Sequence, residues 1–141
     1  MNDLYVRDWM TPNPISIRDD ASLPDAHQLM TDYSVRRLPV VNGKGKLVGI
    51  VARSDVHHAE PSDATTLSIY ELNYLLAKLK IEKIMTRDVI TVTPDTTIAE
   101  TARLMLDNKI GGIPVIDNDT VVGIITESDI FRTVVQHFAL P

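Results

Sequence analysis

The chain repeats itself at an offset of 75 residues, and this repeat limits its possible folds more than any other feature. Residues 6–41 align without a gap to residues 81–116, with nine identities. One residue is then lost in a turn, and residues 47–56 align to residues 121–130 with five more identities. Because the matches keep their order along both copies, the sequence predicts two copies of one structural unit.

Each copy has the pattern of a β-α-β-β-α unit. The capping boxes Ser22 to Asp25 and Thr97 to Glu100 each begin an amphipathic helix. Short apolar runs predict the strands that surround this helix. The strands are predicted at residues 15–17, 38–41 and 47–51 in the first copy and at 90–92, 113–116 and 121–125 in the second, with final helices beginning near Arg53 and Glu127. One such unit cannot bury both faces of its short sheet, so the two copies are expected to pack together.

Residues 59–80 have no counterpart in the repeat. A capping box from Ser68 to Glu71 and an apolar stripe behind it predict a helix in this segment, after a loop at residues 60–66. We expect this helix to lie on the second unit or on a partner chain. The predicted organisation is therefore a first unit at residues 1–58, a linker with a helix at 59–80, and a second unit with a C-terminal helix at 81–141.

Composition excludes several classes of protein. The formal net charge of −5 argues against broad attraction to nucleic acid or to an anionic membrane. The chain has no cysteine, so disulfides, thiolate metal sites and a cysteine nucleophile are excluded. No apolar run approaches the roughly 20 residues of a membrane span, and the first residues do not resemble a signal peptide. These features predict a cytoplasmic soluble protein.

Both copies end in a strand-to-helix turn that can carry chemistry. The turn from Gly123 to Asp129 reads Gly-Ile-Ile-Thr-Glu-Ser-Asp, and the turn from Gly49 to Asp55 is a weaker copy of it. A hydroxyl and a carboxylate at a helix start can hydrogen-bond the hydroxyls of a ribose. The same residues can instead cap the helix, since Thr126 and Asp129 match a capping box. The first copy weakens this second interpretation, because its aspartate persists although an alanine replaces the threonine.

With these motifs the chain resembles a pair of cystathionine-β-synthase (CBS) domains, also called a Bateman module. The resemblance covers residues 6–137. It is carried by Met10-Thr11 and Met85-Thr86, Leu38-Pro-Val-Val41 and Ile113-Pro-Val-Ile116, and the two turns. The apolar insert at residues 67–79 is similar to that of stand-alone bacterial CBS proteins of the acetoin-utilisation type. The resemblance implies an α/β (α+β) fold of two β-α-β-β-α CBS units packed with pseudo-twofold symmetry.

The resemblance also implies two clefts that bind adenosine-containing ligands. The residues expected around the better cleft are Thr126, Ser128 and Asp129 for ribose, Ile15, Ser16 and Val35 for the base, and Arg36 and Arg37 for phosphate. Those expected around the weaker cleft are Ser54, Asp55, Ile90, Thr91, Ile110 and Gly111. The second set is ranked lower because Ala52 replaces the threonine and Gly111-Gly112 replaces the arginine pair. Arg53 or Lys109 can compensate, although nothing in the sequence requires it.

Simpler explanations exist for several of these residues. Arg36 and Arg37 follow a helix, where cations are favoured by the helix dipole and by solvent. Gly111-Gly112 is most simply a turn. His57-His58 lies near Asp55, Glu60 and Asp63 and suggests a metal site, but adjacent histidines on a helix point apart. We therefore predict no metal site.

No catalytic constellation is recognisable in the sequence. No histidine stands beside a serine nucleophile in a local motif, and the Gly-Lys-Gly-Lys segment after Asn42 is a hairpin turn rather than a phosphate-binding loop. We expect a regulatory module that is not an enzyme and needs no cofactor. It would bind AMP, ADP or ATP, with S-adenosylmethionine ranked lower, form a homodimer through its helices, and signal to an effector protein. The alternative is a constitutive dimeric interaction protein with vestigial clefts.

Overall fold

The computed structural model describes residues 4–60 and 68–138. The loop predicted at residues 60–66 lies, beyond Glu60, outside the described residues. The helices are α1 (Val6–Trp9), α2 (Leu23–Tyr33), α3 (Arg53–Ala59), α4 (Ile69–Lys78), α5 (Ile98–Asn108) and α6 (Glu127–His137), with a 3₁₀ turn at Ile81–Lys83. The strands are β1 (Thr11–Pro12), β2 (Ile17–Arg18), β3 (Arg37–Val41), β4 (Leu47–Ala52), β5 (Gly112–Asp117) and β6 (Thr120–Thr126).

The chain divides into two compact units. The middle unit contains residues 15–89, and the end unit joins the residues up to Pro14 with those from Ile90 onward. Each unit has a three-stranded sheet, in the order β2-β3-β4 in the middle unit and β1-β6-β5 in the end unit. The α/β fold with two repeated units, predicted from the sequence repeat, is confirmed.

The hairpins and helices form where the sequence predicted them. Strand β3 pairs antiparallel with β4, and β5 pairs antiparallel with β6. The helix stripes are buried as their spacing requires, with Leu23, Ala26 and Met30 in the core of the middle unit. Ile98 and Met105 lie in the core of the end unit. The capping box of α2 is present, since Asp25 accepts the Ser22 N–H at 3.0 Å and donates its own N–H to the Ser22 hydroxyl at 3.4 Å.

The first strand of each copy is shorter than predicted. Strand β2 begins only at Ile17, which is buried and pairs in parallel with Val40. Its counterpart in the end unit is a single parallel bridge from Val92 to Val115. Ile90 and Thr91, before this bridge, lie outside any strand, and the pairing stops after it because Pro94 has no N–H to donate. The alternating pattern therefore identified the buried residues but overestimated the length of the strands.

Each sheet is completed by the methionine-threonine segment near the start of the other copy. Thr11, at the start of the chain, pairs with Ile124 of β6 in the end unit. Thr86, near the start of the second copy, pairs with Ile50 of β4 in the middle unit through two backbone hydrogen bonds of 2.9 and 3.0 Å. The compact units and the sequence copies consequently divide the chain at different points.

The linker helix α4 belongs to the middle unit. Its C-terminal end packs on the core around α2, where Leu76 and Leu79 contact the buried cluster. The Leu79 carbonyl accepts the backbone N–H of Leu23 at 3.0 Å, which fixes the segment to the start of α2. The expectation that this helix lies on the second unit was wrong, whereas the alternative, that it lies on a partner chain, stays a prediction. The apolar stripe predicted a docked helix, but it carried no information on which surface the helix covers.

Candidate functional site

Asp129 is the most buried charged residue of the predicted site. It lies in the first turn of α6 and is only 3% exposed to solvent. One carboxylate oxygen, Oδ2, accepts the Thr126 N–H at 2.9 Å and the Thr126 hydroxyl at 3.2 Å. The other oxygen, Oδ1, accepts from the Arg132 guanidinium at 2.5 Å. A carboxylate held on both oxygens has a fixed position and orientation at the turn.

These contacts explain part of the turn as helix capping. Asp129 accepts the backbone N–H of Thr126, which is the return bond of a capping box. The Thr126 hydroxyl, however, donates to the carboxylate. In the first copy, Asp55 likewise accepts the Ala52 N–H at 2.8 Å. Capping by the aspartate is therefore common to both copies, whereas the hydroxyl contact is specific to the Asp129 turn.

The end unit brings the Asp129 turn together with a glycine pair. Gly112 pairs with Thr126 across the β5-β6 hairpin, and the Gly111 carbonyl accepts the Glu127 N–H at 3.1 Å. Ser128 is exposed at this turn. Ile90, Thr91 and Ile110, which were predicted for the weaker cleft, also lie in the end unit.

The middle unit brings the Asp55 turn together with the arginine pair. Arg37 pairs with Ala52 across the β3-β4 hairpin. The Arg36 carbonyl accepts the Arg53 N–H at 2.7 Å, so the first residue of α3 lies directly beside the pair. Ser54 at this turn is exposed, and Asp55 is half-buried. Ile15, Ser16 and Val35, predicted for the better cleft, belong to the same unit.

Each predicted cleft thus draws its residues from both units. The ribose residues of the better cleft lie in the end unit, whereas its base and phosphate residues lie in the middle unit. In the weaker cleft, Ser54 and Asp55 lie in the middle unit, whereas the other predicted residues lie in the end unit. The grouping of these residues across the two units stays a prediction. The structure itself shows a basic turn in the middle unit and a glycine-rich turn in the end unit.

Two cavities adjoin the basic turn of the middle unit. One has a volume of about 400 Å³ and is lined by Arg36, Arg37, Ala52, Arg53, Ser54 and His57. The other, of about 450 Å³, extends over α2 and α3 and is also lined by Arg36, Arg53 and His57. Sequence reasoning gave His57 no ligand role here and treated Arg53 only as a compensating residue. The hairpin pattern could have placed Arg53 beside Arg36, because the antiparallel register continues into the helix start.

The described residues show neither a metal cluster nor a membrane span. No three His, Cys, Asp or Glu side chains in residues 4–60 and 68–138 are placed to hold a metal ion. The rings of His57 and His58 are 6.4 Å apart and tilted, and Asp63 lies outside the described part of the chain. No helix within that part is long and apolar enough to cross a bilayer.

Solved structures of similar sequence share this fold. The CBS domain pair of protein MJ0100, in complex with 5′-methylthioadenosine and S-adenosyl-L-methionine, is 31% identical, with a TM-score of 0.80 over 96% of this chain and 99% of that chain. AcuB from Vibrio cholerae is 32% identical, with a TM-score of 0.77 over 99% of this chain and all of that chain (100%). CBSX2 in complex with AMP is 28% identical, with a TM-score of 0.78 over 96% of this chain and 98% of that chain.

Longer relatives contain this module as one part. A homoserine O-acetyltransferase of Methanosalsum zhilinae is 33% identical over 97% of this chain, but the chain spans only 25% of the length of that relative. CBS pairs are regulatory modules. A family model described as CBS domain matches this chain twice, at residues 6–62 and 81–136. The two matches and the shared fold show that the chain belongs to the CBS domain family, as a pair of CBS repeats.

Proposed function

We propose that this CBS pair is a regulatory module that binds an adenosine nucleotide and signals its presence to an effector protein. The observation that carries the proposal is the Asp129 carboxylate, which is buried at a strand-to-helix turn and held by Thr126 and Arg132. Similar CBS pairs have been solved with AMP or with S-adenosyl-L-methionine, which supports an adenosine-type ligand.

The chemistry of the turn suits ribose. A carboxylate accepts hydrogen bonds from two vicinal hydroxyls, and the hydroxyls of Thr126 and Ser128 can donate or accept beside it. The Arg132 side chain is 64% exposed, so a ribose hydroxyl can displace its guanidinium from Oδ1 without opening the core. In the proposed complex Ile15, Ser16 and Val35 contact the base, while Arg36 and Arg37 contact phosphate.

The proposed regulatory role also requires that ligand binding changes the conformation of the module. A ligand shifts a regulatory equilibrium only if it binds one conformation more tightly than the other, and the effector then responds to that conformation. We propose no catalytic activity for this chain and no required cofactor. We also propose that the module acts in the cytoplasm as a homodimer.

Equilibrium binding of AMP, ADP, ATP and S-adenosylmethionine to the ligand-stripped protein tests the proposal. We expect Asp129→Asn to weaken nucleotide binding by about 10- to 100-fold, because hydrogen bonds to a charged acceptor contribute about 1.5–3 kcal/mol. Asp55→Asn should have a smaller effect, since the Asp129 turn is ranked first. Titration calorimetry measures the affinities of both variants, and scanning calorimetry measures the unfolding midpoint of each.

The matched control is Asp107→Asn, which makes the same chemical change at an exposed position near the end of α5. Equal losses in the Asp107 and Asp129 variants would argue against ribose recognition by the turn. If none of the four ligands binds at concentrations that detect an affinity of about 100 μM, the proposal is wrong. The interaction-protein alternative then becomes the better reading.

A specific surface favours that alternative as a second candidate. The end of α5, helix α6 and the residue that follows it expose large apolar side chains, namely Leu106, Phe131, Val134, Val135 and Phe138. Isolated exposed apolar residues are ordinary, but several on neighbouring helices are typical of an interaction surface. A constitutive dimer would bury them whether or not a ligand is bound.

Val135→Glu is expected to convert a dimer into a monomer at micromolar concentration, because it places a charge within this apolar surface. Sedimentation at several protein concentrations measures the change. Gln136→Glu adds the same charge one position along α6 and should leave the mass unchanged. A monomeric wild-type protein at all concentrations would remove both the homodimer and this second candidate.

A further inference from the structure

The basic turn of the middle unit carries more positive charge than one phosphate group requires. Arg36, Arg37 and Arg53 are backbone neighbours at the start of α3 and line one cavity, although the chain as a whole has a net charge of −5. Among the described residues, none of these three arginines forms an ion pair with a carboxylate. An anion that binds at this turn is attracted by all three charges.

The cavities show where such an anion fits. Arg36, Arg53 and His57 line both the 400 Å³ and the 450 Å³ cavity, so they form a shared edge between the two spaces. Each guanidinium has five N–H donors in a planar fork, and one fork can satisfy two oxygens of a phosphate. Arg36 and Arg37 therefore suffice for a single phosphate. Arg53 and His57 offer donors for a second or third group along the same edge.

Two carboxylates, Glu60 and Asp55, lie near this edge. Glu60 lines the larger cavity, but it hydrogen-bonds His27 at 3.0 Å. Asp55 accepts the Ala52 N–H at 2.8 Å and lines neither of these cavities. The edge formed by Arg36, Arg53 and His57 is thus cationic on balance.

We propose that this edge selects nucleotides with two or more phosphates, with Arg53 and His57 as the residues that determine the preference. The proposal rests on the proposed function for the adenosine part of the ligand, and it adds the phosphate class. ADP or ATP is favoured over AMP because it supplies anionic groups to Arg53 and His57. S-adenosylmethionine is disfavoured because its sulfonium cation faces a cationic edge.

The test compares the affinities of AMP, ADP, ATP, S-adenosylmethionine and inorganic tripolyphosphate, measured by calorimetry on the full chain at one fixed salt concentration. We expect the wild-type protein to bind ADP or ATP at least about 10-fold more tightly than AMP. Arg53→Gln should reduce this ratio by about 10-fold and leave the AMP affinity within about twofold, because the lost charge-assisted bonds serve only the additional phosphates. His57→Gln should reduce the ratio less.

Two further variants test whether the shape and the position of the cation matter, beyond its charge. Arg53→Lys keeps the charge but not the fork, so it should retain part of the preference. Lys44→Gln removes a cation at an exposed hairpin position of the same unit and should leave the ratio unchanged. The proposal is overturned if AMP binds as tightly as ATP, if Lys44→Gln acts like Arg53→Gln, or if S-adenosylmethionine binds as tightly as ATP.

The two proposals fail in different ways. Asp129→Asn should weaken all adenosine nucleotides by a similar factor, whereas Arg53→Gln should change the ratio between them. Equal affinities for AMP, ADP and ATP would contradict the proposed phosphate selectivity but not the proposed nucleotide binding. Tripolyphosphate binding that depends on Arg53, without any nucleotide binding, contradicts the adenosine assignment and supports the anion edge.

Discussion

Replacing Ile113 by alanine is expected to lower the free energy of unfolding by about 2–5 kcal/mol. Ile113 is fully buried in strand β5, between the β6 partner Ile125 and the rest of the core of the end unit. The substitution removes the buried side chain and leaves a cavity, because the paired strands fix the surrounding backbone. Urea unfolding followed by far-ultraviolet circular dichroism measures the loss.

Ile69→Ala is the matched control for this prediction. Ile69 begins α4 and is 68% exposed, so the same deletion should change stability by about 0.5 kcal/mol or less. Leu38 is the counterpart of Ile113 in the middle unit and is also fully buried, so Leu38→Ala should cost a similar amount. Equal effects of Ile69→Ala and Ile113→Ala would show that the assigned core does not stabilise the fold.

Gly123→Ala is expected to destabilise the protein by about 1–3 kcal/mol, the usual cost of overpacking. A β-carbon on Gly123 would lie 2.5 Å from the Met10 sulfur and 3.0 Å from the Thr11 carbonyl oxygen. The methionine side chain can move, but the carbonyl belongs to strand β1, which pairs with β6 at this residue. Strand β1 would therefore have to shift away from the sheet. The same urea titration measures the change.

Two other glycines serve as comparisons, namely Gly49, which is equivalent to Gly123, and Gly43, which has more space around it. At Gly49 a β-carbon would lie 2.5 Å from the Met85 sulfur and 2.9 Å from the Thr86 carbonyl oxygen, so Gly49→Ala should cost about as much. At Gly43 the nearest atom is the flexible end of Arg18 at 3.3 Å, so Gly43→Ala should be tolerated. If Met10→Ala fully rescues Gly123→Ala, the side chain rather than the backbone limits the space.

Most of the local structure could be predicted from the sequence. The capping residues Ser22, Ser68 and Thr97 each accept a helix N–H. The final helices begin at Arg53 and Glu127 as expected. These features depend on residues only a few positions apart, and short-range hydrogen bonds and apolar spacing determine them.

The candidate site could be predicted only in part. The Asp129 turn was identifiable because its hydroxyl and carboxylate are close in sequence. Arg53 and His57 were not identified as a shared cavity edge, because their relation to Arg36 depends on the hairpin register. The pairing of each turn with residues of the other unit remains a prediction.

The sequence by itself determined the repeat, the order of elements in each copy and the family, because all three are patterns along the chain. Only the tertiary structure decided which sheet the segments at Thr11 and Thr86 complete, and which unit α4 covers. A strand with the same pattern can pair at either sheet, and an apolar helix face can cover either core. Gly49 and Gly123 give both sheets the same space for a close backbone, so long-range packing makes the choice, and it buries Val6 in the end unit and Ile81 in the middle unit.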